Sequence, residues 1–321
     1  MKKRVIALLT LLLLLLCACT PAAPVATPTP EPTATPAPTP TPEPTPTPFP
    51  SLPPSVNPPD ESGLSAKFAF VYDCSAGQLL YHMGDQYQAI APASLTKLLT
   101  CLVALEYLDE KTVVTAGEEV TWIEEGASVA AVFQDYQLTV EMLVEGIMLQ
   151  SGNDAALALS VAAGRAIKND PNLPAKDALD AFMAKMNEKA DELGLYNTHF
   201  LYPDGRDMDG HYSCPADLLT VALKAMEEPT IMRYANEYRR YVVYTSGQGY
   251  VYLNTNQLLN PKSEFYCQSA IGLKTGTTEK AGCSLISAFR DGERVLLIGV
   301  FGCPEKPARF ADTLTLYNHY K

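Results

Sequence analysis

Pro92-Ala93-Ser94-Leu95-Thr96-Lys97-Leu98-Leu99 is the stretch from which the fold can be worked outward. Apolar side chains recur in and after it at intervals of three and four, which predicts a strongly buried helix: Leu95, Leu98, Leu99, Leu102 and Leu105. Ser94 and Lys97 fall in the first turn of this helix, and residues three apart share one helix face. A serine needs a neighbouring base to act as a nucleophile, and burial lowers the pKa of a lysine. For this spacing alone, an exposed lysine and a serine at an ordinary helix start are the alternative. Because the helix that follows is largely apolar and would bury Lys97, the stretch predicts Ser94 as nucleophile and Lys97 as base, both pointing into a cleft.

Ser151-Gly152-Asn153 marks the break between two further predicted helices. One begins at Thr139 and stops at this tripeptide, and the next follows directly. Serine and asparagine are common helix caps, which by itself would explain both residues. As catalytic groups, Ser151 would relay a proton to the leaving amine, while the Asn153 amide would hold a substrate carbonyl and orient Lys97.

Lys274-Thr275-Gly276, followed by Thr277, reads as a strand at a sheet edge that faces the cleft. Lys274 and the Thr275 hydroxyl are suited to bind a terminal carboxylate, which would give exopeptidase selectivity. Gly276 would let the substrate backbone approach closely because it has no side chain. The backbone N–H groups of Ser94 and Thr277 would form an oxyanion hole. An ordinary strand end with a turn is the alternative for this tripeptide alone.

The remaining periodicity predicts strands near both ends of the domain and helices between them. Two hairpins are predicted from apolar runs separated by turn residues: residues 68–72 with 79–81, and residues 284–289 with 295–301. A last helix, after Pro307, would lie on this sheet, and another helix would end at Gly194 as its C-terminal cap. We expect an α+β fold, an antiparallel sheet flanked by helices plus a helical lobe, with the active site in the cleft between them.

The N-terminal 61 residues do not read as part of this domain. A basic start at positions 2–4 precedes an apolar run over residues 5–16 that is too short to span a bilayer, which is typical of a signal peptide. The sequence ending at Cys19 resembles a lipobox, with Cys19 as the predicted lipid attachment site; ordinary signal cleavage or an uncleaved anchor are the alternatives. Residues 20–61 are rich in proline and threonine, which predicts a disordered spacer. Residues 62–321 would then form the globular domain, which we expect to be exported and held outside the membrane by the lipid on Cys19.

The composition argues against several classes of function. The chain has 24 basic and 36 acidic residues and a net charge of -12, which disfavours nucleic acid as a partner. The histidines are dispersed and show no HExxH spacing, so neither a metal site nor a cofactor is predicted. The cysteines beyond the signal peptide form no CxxC pair, and we expect mostly free, buried thiols: Cys74, Cys101, Cys214, Cys267, Cys283 and Cys303.

The three motifs, in this order, resemble those of penicillin-binding proteins and class A β-lactamases. Over about residues 67–321 the chain resembles the D-alanyl-D-alanine carboxypeptidases of peptidase family S11, the low-molecular-mass penicillin-binding proteins. The likeness includes three further segments that we interpret as structural, residues 194–200, 211–213 and 254–259, whereas residues 202–209 depart from the glycine-leucine continuation expected of the family. The resemblance implies that Ser94 attacks the penultimate D-alanine of a peptidoglycan stem pentapeptide ending in D-Ala-D-Ala and releases the terminal D-alanine. Water would hydrolyse the resulting acyl-enzyme, and β-lactams would acylate the same serine. Residues 62–321 would then be an extracytoplasmic serine D,D-peptidase domain, lipid-anchored to the outer face of the bacterial cytoplasmic membrane.

Three other functions share part of this machinery. A class A β-lactamase needs a deacylating glutamate in a Glu-x-x-Leu-Asn loop, and no such pentapeptide occurs between Asn153 and Lys274. A D,D-endopeptidase or transpeptidase acting on crosslinks would use the same groups and differ in how it binds the acceptor. Loss of a catalytic motif residue would favour a non-catalytic wall-binding protein, but all the motif residues are present. The sequence favours the carboxypeptidase and leaves open whether the bound terminus is free or crosslinked.

Overall fold

The computed structural model describes residues 58–321; the predicted signal peptide, Cys19 and most of the predicted spacer lie outside them. The strands of this part are β1 (Phe68–Asp73), β2 (Gln78–Met83), β3 (Val113–Thr115), β4 (Gln137–Thr139), β5 (Arg239–Val243), β6 (Gly249–Leu253), β7 (Ala270–Thr278), β8 (Gly282–Asp291) and β9 (Arg294–Cys303). Its helices are α1 (Thr96–Tyr107), α2 (Val140–Gln150), α3 (Asn153–Lys168), α4 (Ala175–Glu192), α5 (Pro215–Glu227), α6 (Pro229–Ala235) and α7 (Lys306–Tyr320). None of these helices is both long and apolar enough to cross a bilayer.

A five-stranded sheet with the order β2-β1-β9-β8-β7 forms one layer of the domain, and each neighbouring pair is antiparallel. Both predicted hairpins are confirmed, because β1 pairs with β2 and β8 pairs with β9. The predicted terminal helix, α7, packs on β8 and β9, where the rings of Phe289 and Tyr317 stack with centroids 4.2 Å apart. The strand that carries Lys274, β7, lies at one edge of this sheet. The α+β architecture is therefore confirmed.

The helical lobe is built around α3, against which α1, α2 and α4 all pack. A helix that is apolar all round belongs in a core, and five consecutive residues near the start of α3 are completely buried: Ala155, Ala156, Leu157, Ala158 and Leu159. Between α2 and α3 the chain turns sharply, because Ser151 adopts left-handed backbone angles of φ 58° and ψ 32°. This turn ends α2 and lets α3 begin at Asn153, so both polar residues of the second motif lie at one end of the lobe.

The segment between β3 and β4 is fixed to the lobe through Ala130. Its backbone N–H donates to the buried carboxylate of Asp154 at 2.8 Å, and its backbone oxygen accepts from the hydroxyls of Tyr244 and Tyr252 at 2.6 and 2.7 Å. Asp154 belongs to α3, whereas Tyr252 belongs to β6 and Tyr244 immediately follows β5. The network holds this segment, which forms one wall of the cleft, between α3 and the β5–β6 hairpin.

Candidate active site

Ser94 and Lys97 meet at the start of α1. Ser94 lies in a 3-10 turn, Ala93–Leu95, and Lys97 lies in the first α-helical turn, so the α-helix begins two residues later than the leucine spacing predicts. Such 3-10 turns are frequent at helix N-termini. The side chains still face each other, with Lys97 Nζ 2.8 Å from Ser94 Oγ. A hydrogen bond of this length allows a proton to pass directly between the two atoms.

The side chain of Lys97 is completely buried and has two further partners. Its Nζ donates to Asn153 Oδ1 at 2.8 Å and to the backbone oxygen of Asp204 at 2.7 Å. Because both partners accept, a neutral amine would use its two N–H groups on these oxygens and direct its lone pair at Ser94. Burial lowers the pKa of Lys97 to about 8, since the charged form loses its hydration. The site thus holds an oriented lysine that is partly neutral near physiological pH.

Ser151 and Lys274 form a second hydroxyl–amine pair, across the boundary between the lobe and the sheet. Lys274 Nζ donates to Ser151 Oγ at 2.8 Å and to the backbone oxygen of Thr275 at 3.1 Å. Both side chains of the pair are buried. Burial is the main cause that holds the pKa of Lys274 well below its usual value, and the nearby charges of Lys97 and Arg309 act in the same direction. A lysine in this environment can exchange a proton with the Ser151 hydroxyl.

Thr275 and Gly276 on β7 make their contacts within the protein. The Thr275 hydroxyl forms a 2.7 Å hydrogen bond with Thr255 Oγ1. A Cβ built on Gly276 would lie 3.1 Å from Ala93 Cβ, so this glycine lets β7 pack closely on the turn that holds Ser94. This packing explains a glycine at position 276, and the predicted close approach of substrate stays a prediction.

Arg309 is a residue of this site that the sequence reasoning missed. It lies on α7, is almost fully buried, and donates from Nη1 to Gly276 O at 3.1 Å and to Thr277 Oγ1 at 2.9 Å. These contacts fix the end of β7 and place a guanidinium beside the third motif. An arginine next to Phe310 within the spacing of the terminal helix was the only signal available in the sequence.

A cavity of about 350 Å³ opens beside these groups. Ser94, Asn153 and Thr277 line it, together with residues 124–128 on one wall and residues 204–207 on another. The two residues predicted to form the oxyanion hole, Ser94 and Thr277, therefore line the same space. Lys97 does not line this space itself but is hydrogen-bonded to Ser94 and Asn153, which do. The arrangement suits acyl transfer, because a nucleophile lines the cavity, its base contacts it directly, and a second hydroxyl–amine pair lies on the adjoining residues.

The loop formed by residues 202–209, where the sequence departs from the family pattern, closes the cavity beside Lys97. Gly205 has φ +81°, and a Cβ there would lie 1.8 Å from Ala93 O, so the loop touches the turn that holds Ser94. Asp207 Oδ1 accepts from Thr278 Oγ1 at 2.7 Å. The loop is thereby joined to the start of α1 at one point and to the end of β7 at another.

Two of the segments that we interpreted as structural lie directly behind the site. His211 Nδ1 accepts from Leu201 N at 3.1 Å, its Nε2 lies 3.2 Å from Thr96 Oγ1, and burial lowers its pKa to about 4. Such a neutral histidine supports α1 and the 202–209 loop. Thr255, in the third segment, is closer to the chemistry than predicted because its hydroxyl bonds Thr275.

The six cysteines of residues 58–321 are all free, and four are buried. Cys101 follows Lys97 by one helical turn, and burial raises the pKa of its thiol to about 12. These findings confirm the expectation of mostly free, buried thiols.

Comparison with known proteins identifies the family. The family model for D-alanyl-D-alanine carboxypeptidases, peptidase S11, matches residues 55–304. The chain is 32% identical to D-alanyl-D-alanine carboxypeptidase DacF of Bacillus subtilis, over 77% of this chain and 60% of that protein. It is 31% identical to D-alanyl-D-alanine carboxypeptidase DacA of Escherichia coli, over 79% of this chain and 60% of that protein.

The chain thus spans about three fifths of the length of these two relatives. Among solved structures, the crystal structure of the Streptomyces K15 DD-transpeptidase is similar with a TM-score of 0.71 and 29% identity, covering 80% of this chain and 97% of that one. The fold, the three motifs and these matches lead to one conclusion: the chain belongs to peptidase family S11, the D-alanyl-D-alanine carboxypeptidase family.

Proposed function

We propose that this chain is a serine-type D-Ala-D-Ala carboxypeptidase that removes the terminal D-alanine from peptidoglycan stem pentapeptides. The observation that carries the proposal is the 2.8 Å contact between Ser94 Oγ and a fully buried Lys97 whose remaining partners are both acceptors. Family membership supplies the substrate class, because the matching relatives are named as D-alanyl-D-alanine carboxypeptidases.

Acylation begins with neutral Lys97, which accepts the Ser94 proton as the serine oxygen attacks the carbonyl carbon of the penultimate D-alanine. Negative charge develops on the carbonyl oxygen, and the backbone N–H groups of Ser94 and Thr277 are the proposed donors that stabilise it. The C–N bond then breaks and the leaving amine takes a proton from Ser151, which is resupplied by Lys274 through their hydrogen bond. An ester on Ser94 and free D-alanine result.

Deacylation repeats these steps with water as the nucleophile. After acylation Lys97 holds the Ser94 proton, and the Ser151–Lys274 pair has given one proton to the leaving amine. In deacylation this pair accepts a proton from the attacking water, and Lys97 returns its proton to the ester oxygen of Ser94 when the bond breaks. A β-lactam follows the same first step, but its leaving nitrogen stays tethered to the acyl group. We therefore propose that β-lactams bind covalently to Ser94.

Recognition of the terminal carboxylate is assigned to the β7 side of the cavity. Lys274 and Arg309 provide positive charge there, and the hydroxyls of Thr275 and Thr277 lie on the same strand. Asn153 is proposed to hold the substrate's backbone carbonyl with its amide N–H group, since its Oδ1 is occupied by Lys97.

We also propose that this activity lies outside the cytoplasmic membrane and that the chain is tethered to the membrane by a lipid on Cys19. The predicted export signal and spacer support this proposal. Globomycin-sensitive processing of the full chain, together with incorporation of labelled palmitate that is lost in Cys19→Ser, would support the tether. An exported chain that takes up no palmitate would contradict it.

Incubation with a stem pentapeptide, followed by mass spectrometry, tests the proposed reaction. We expect loss of one alanine from the pentapeptide, and no loss with Ser94→Ala. Products that appear only from crosslinked dimers would instead assign an endopeptidase. The structural similarity to a protein named as a DD-transpeptidase makes an added amine acceptor a useful second condition, because joining of the two peptides would identify transfer.

A further inference from the structure

The 202–209 loop carries an ion pair close to Lys97, and the catalytic steps described above do not use this pair. Arg206 binds the Asp204 carboxylate through both Nε and Nη2, with Nη2 2.5 Å from Oδ2. The Asp204 side chain is fully buried and that of Arg206 is only 12% exposed. Asp204 is also the residue whose backbone oxygen accepts from Lys97 at 2.7 Å. The carboxylate of the ion pair therefore belongs to the same residue whose backbone oxygen accepts a hydrogen bond from the base.

Arg206 is itself held from two other directions. Its guanidinium carbon lies 3.8 Å from the centroid of the Tyr202 ring, and its Nη2 donates to the backbone oxygen of Trp122 at 3.0 Å. The Trp122 contact reaches the segment that forms the opposite wall of the cavity. A guanidinium fixed on three sides keeps its charge at a defined position, which suits an electrostatic role.

On this geometry, and resting on the proposed function, we propose that Arg206 is a positioning residue that neutralises Asp204 and so keeps Lys97 in its neutral, proton-accepting form. Without Arg206 the buried Asp204 carboxylate would lose its paired cation, and an unpaired negative charge close to Lys97 favours the protonated amine. With Arg206 present, the guanidinium charge offsets part of the effect of the carboxylate at Lys97.

The other charged and titratable groups that face Lys97 do not replace this effect. Besides Asp204 and Arg206 on the loop, they come from its own helix, from α3 and from β7: Cys101, Asp154 and Lys274. Asp154 favours the charged amine, and the thiol of Cys101 stays protonated because burial raises its pKa to about 12. Lys274 favours the neutral amine as Arg206 does, but its Nζ is already engaged by Ser151. Arg206 is thus the cation paired directly with the residue that holds Lys97.

The test is the pH dependence of Ser94 acylation by a fluorescent penicillin, measured on the full chain and three variants. Arg206→Met removes the positive charge, so we expect the midpoint of the rise in acylation rate to move up by about one pH unit, with a roughly tenfold lower rate at pH 7. Asp204→Asn removes the negative charge and should move the midpoint down. The double variant should return it close to the wild-type value.

Arg240→Met is the matched control, because Arg240 pairs with the buried Glu145 at 2.9 Å in another part of the fold, between β5 and α2. It should leave the midpoint unchanged. Midpoints that stay fixed in all three site variants, with only slower acylation, would show a purely structural ion pair and overturn the proposal. If Arg206→Met does not fold, the downward shift in Asp204→Asn and its reversal in the double variant decide the question. A wild-type chain that takes no label at any pH would refute the proposed function and this inference with it.

Discussion

Replacing Gly205 by alanine tests whether the 202–209 loop sets the geometry of the catalytic pair. At φ +81° a Cβ would lie 1.8 Å from Ala93 O and 2.4 Å from Ala93 C, about 1.6 Å short of the 3.4 Å at which ordinary van der Waals contact begins. The loop and the Ala93 turn would have to separate by that distance. Ala93 precedes Ser94 and Asp204 precedes Gly205, so the nucleophile and the acceptor that holds Lys97 would both be displaced.

Gly210→Ala in the adjoining turn is the matched control. Gly210 has φ +88°, yet a Cβ there meets nothing closer than Leu201 Cδ1 at 3.5 Å. Left-handed backbone costs an alanine roughly 1–2 kcal/mol at either position, and only Gly205→Ala adds a backbone clash. We expect Gly210→Ala to lower the free energy of unfolding by about 1 kcal/mol with little effect on acylation. Gly205→Ala should lower it by about 3 kcal/mol or more and slow acylation on the order of 100-fold, as misplacement by about 1 Å can do.

Two measurements decide this prediction. Urea unfolding followed by the fluorescence of Trp122, the chain's single tryptophan, gives the free energies. Stopped-flow labelling with fluorescent penicillin gives the acylation rates. Equal stability and equal rates in the two variants would refute the argument that contact between the loop and the Ala93 turn positions the catalytic pair.

Three further predictions follow from the buried groups. The rate of penicillin acylation should rise with pH through a midpoint of about 8, the pKa of Lys97, because only the neutral amine accepts the serine proton. Lys97→Arg should abolish acylation. A rate that does not change with pH would contradict this prediction. Asp154→Asn should lower the free energy of unfolding by about 1–3 kcal/mol. The carboxylate accepts several backbone N–H groups, including that of Ala130 at 2.8 Å, and an amide cannot accept them all. Urea unfolding measures this free energy, and an unchanged value would contradict the prediction. Tyr244→Phe and Tyr252→Phe should each lower the free energy of unfolding by only about 0.5 kcal/mol, because the other hydroxyl still bonds the Ala130 oxygen. The double variant should lower it by about 2 kcal/mol or more, since the buried oxygen then has neither partner. Urea unfolding measures all three, and strictly additive losses would contradict the shared acceptor.

The parts of the fold that sequence could predict are those with long, regular burial. The leucine spacing of α1 and the apolar runs of β8 and β9 each bury a continuous face, so periodicity alone indicates them. β3 and β4 were missed because each has three residues, too few for a period, and they pair across a long irregular segment. α5 was also missed, although Pro215 occupies its first turn as is common at helix starts.

The residues of the candidate site also fall into those that the sequence reveals and those that it does not. Side chains that work in short local motifs, such as Ser94 with Lys97, are visible in the sequence because helical geometry alone makes them neighbours. The acceptor that Asp204 offers to Lys97 is a backbone oxygen, so no side chain signals it. Arg309 reaches β7 because the last helix packs on β8 and β9, and β8 is the neighbour of β7 in the sheet. Long-range contacts of this kind follow from topology, which the spacing of one motif does not specify.

The identity of the nucleophile is the claim on which the remaining account depends. Benzylpenicillin incubated with the purified full chain should add one molecule of drug to the intact mass, and fragmentation of the proteolytic peptide should locate it on Ser94. Ser94→Ala should remain unmodified, whereas Ser151→Ala should still be labelled on Ser94 but at a lower rate. Label on any other residue, or label that persists in Ser94→Ala, would contradict the account.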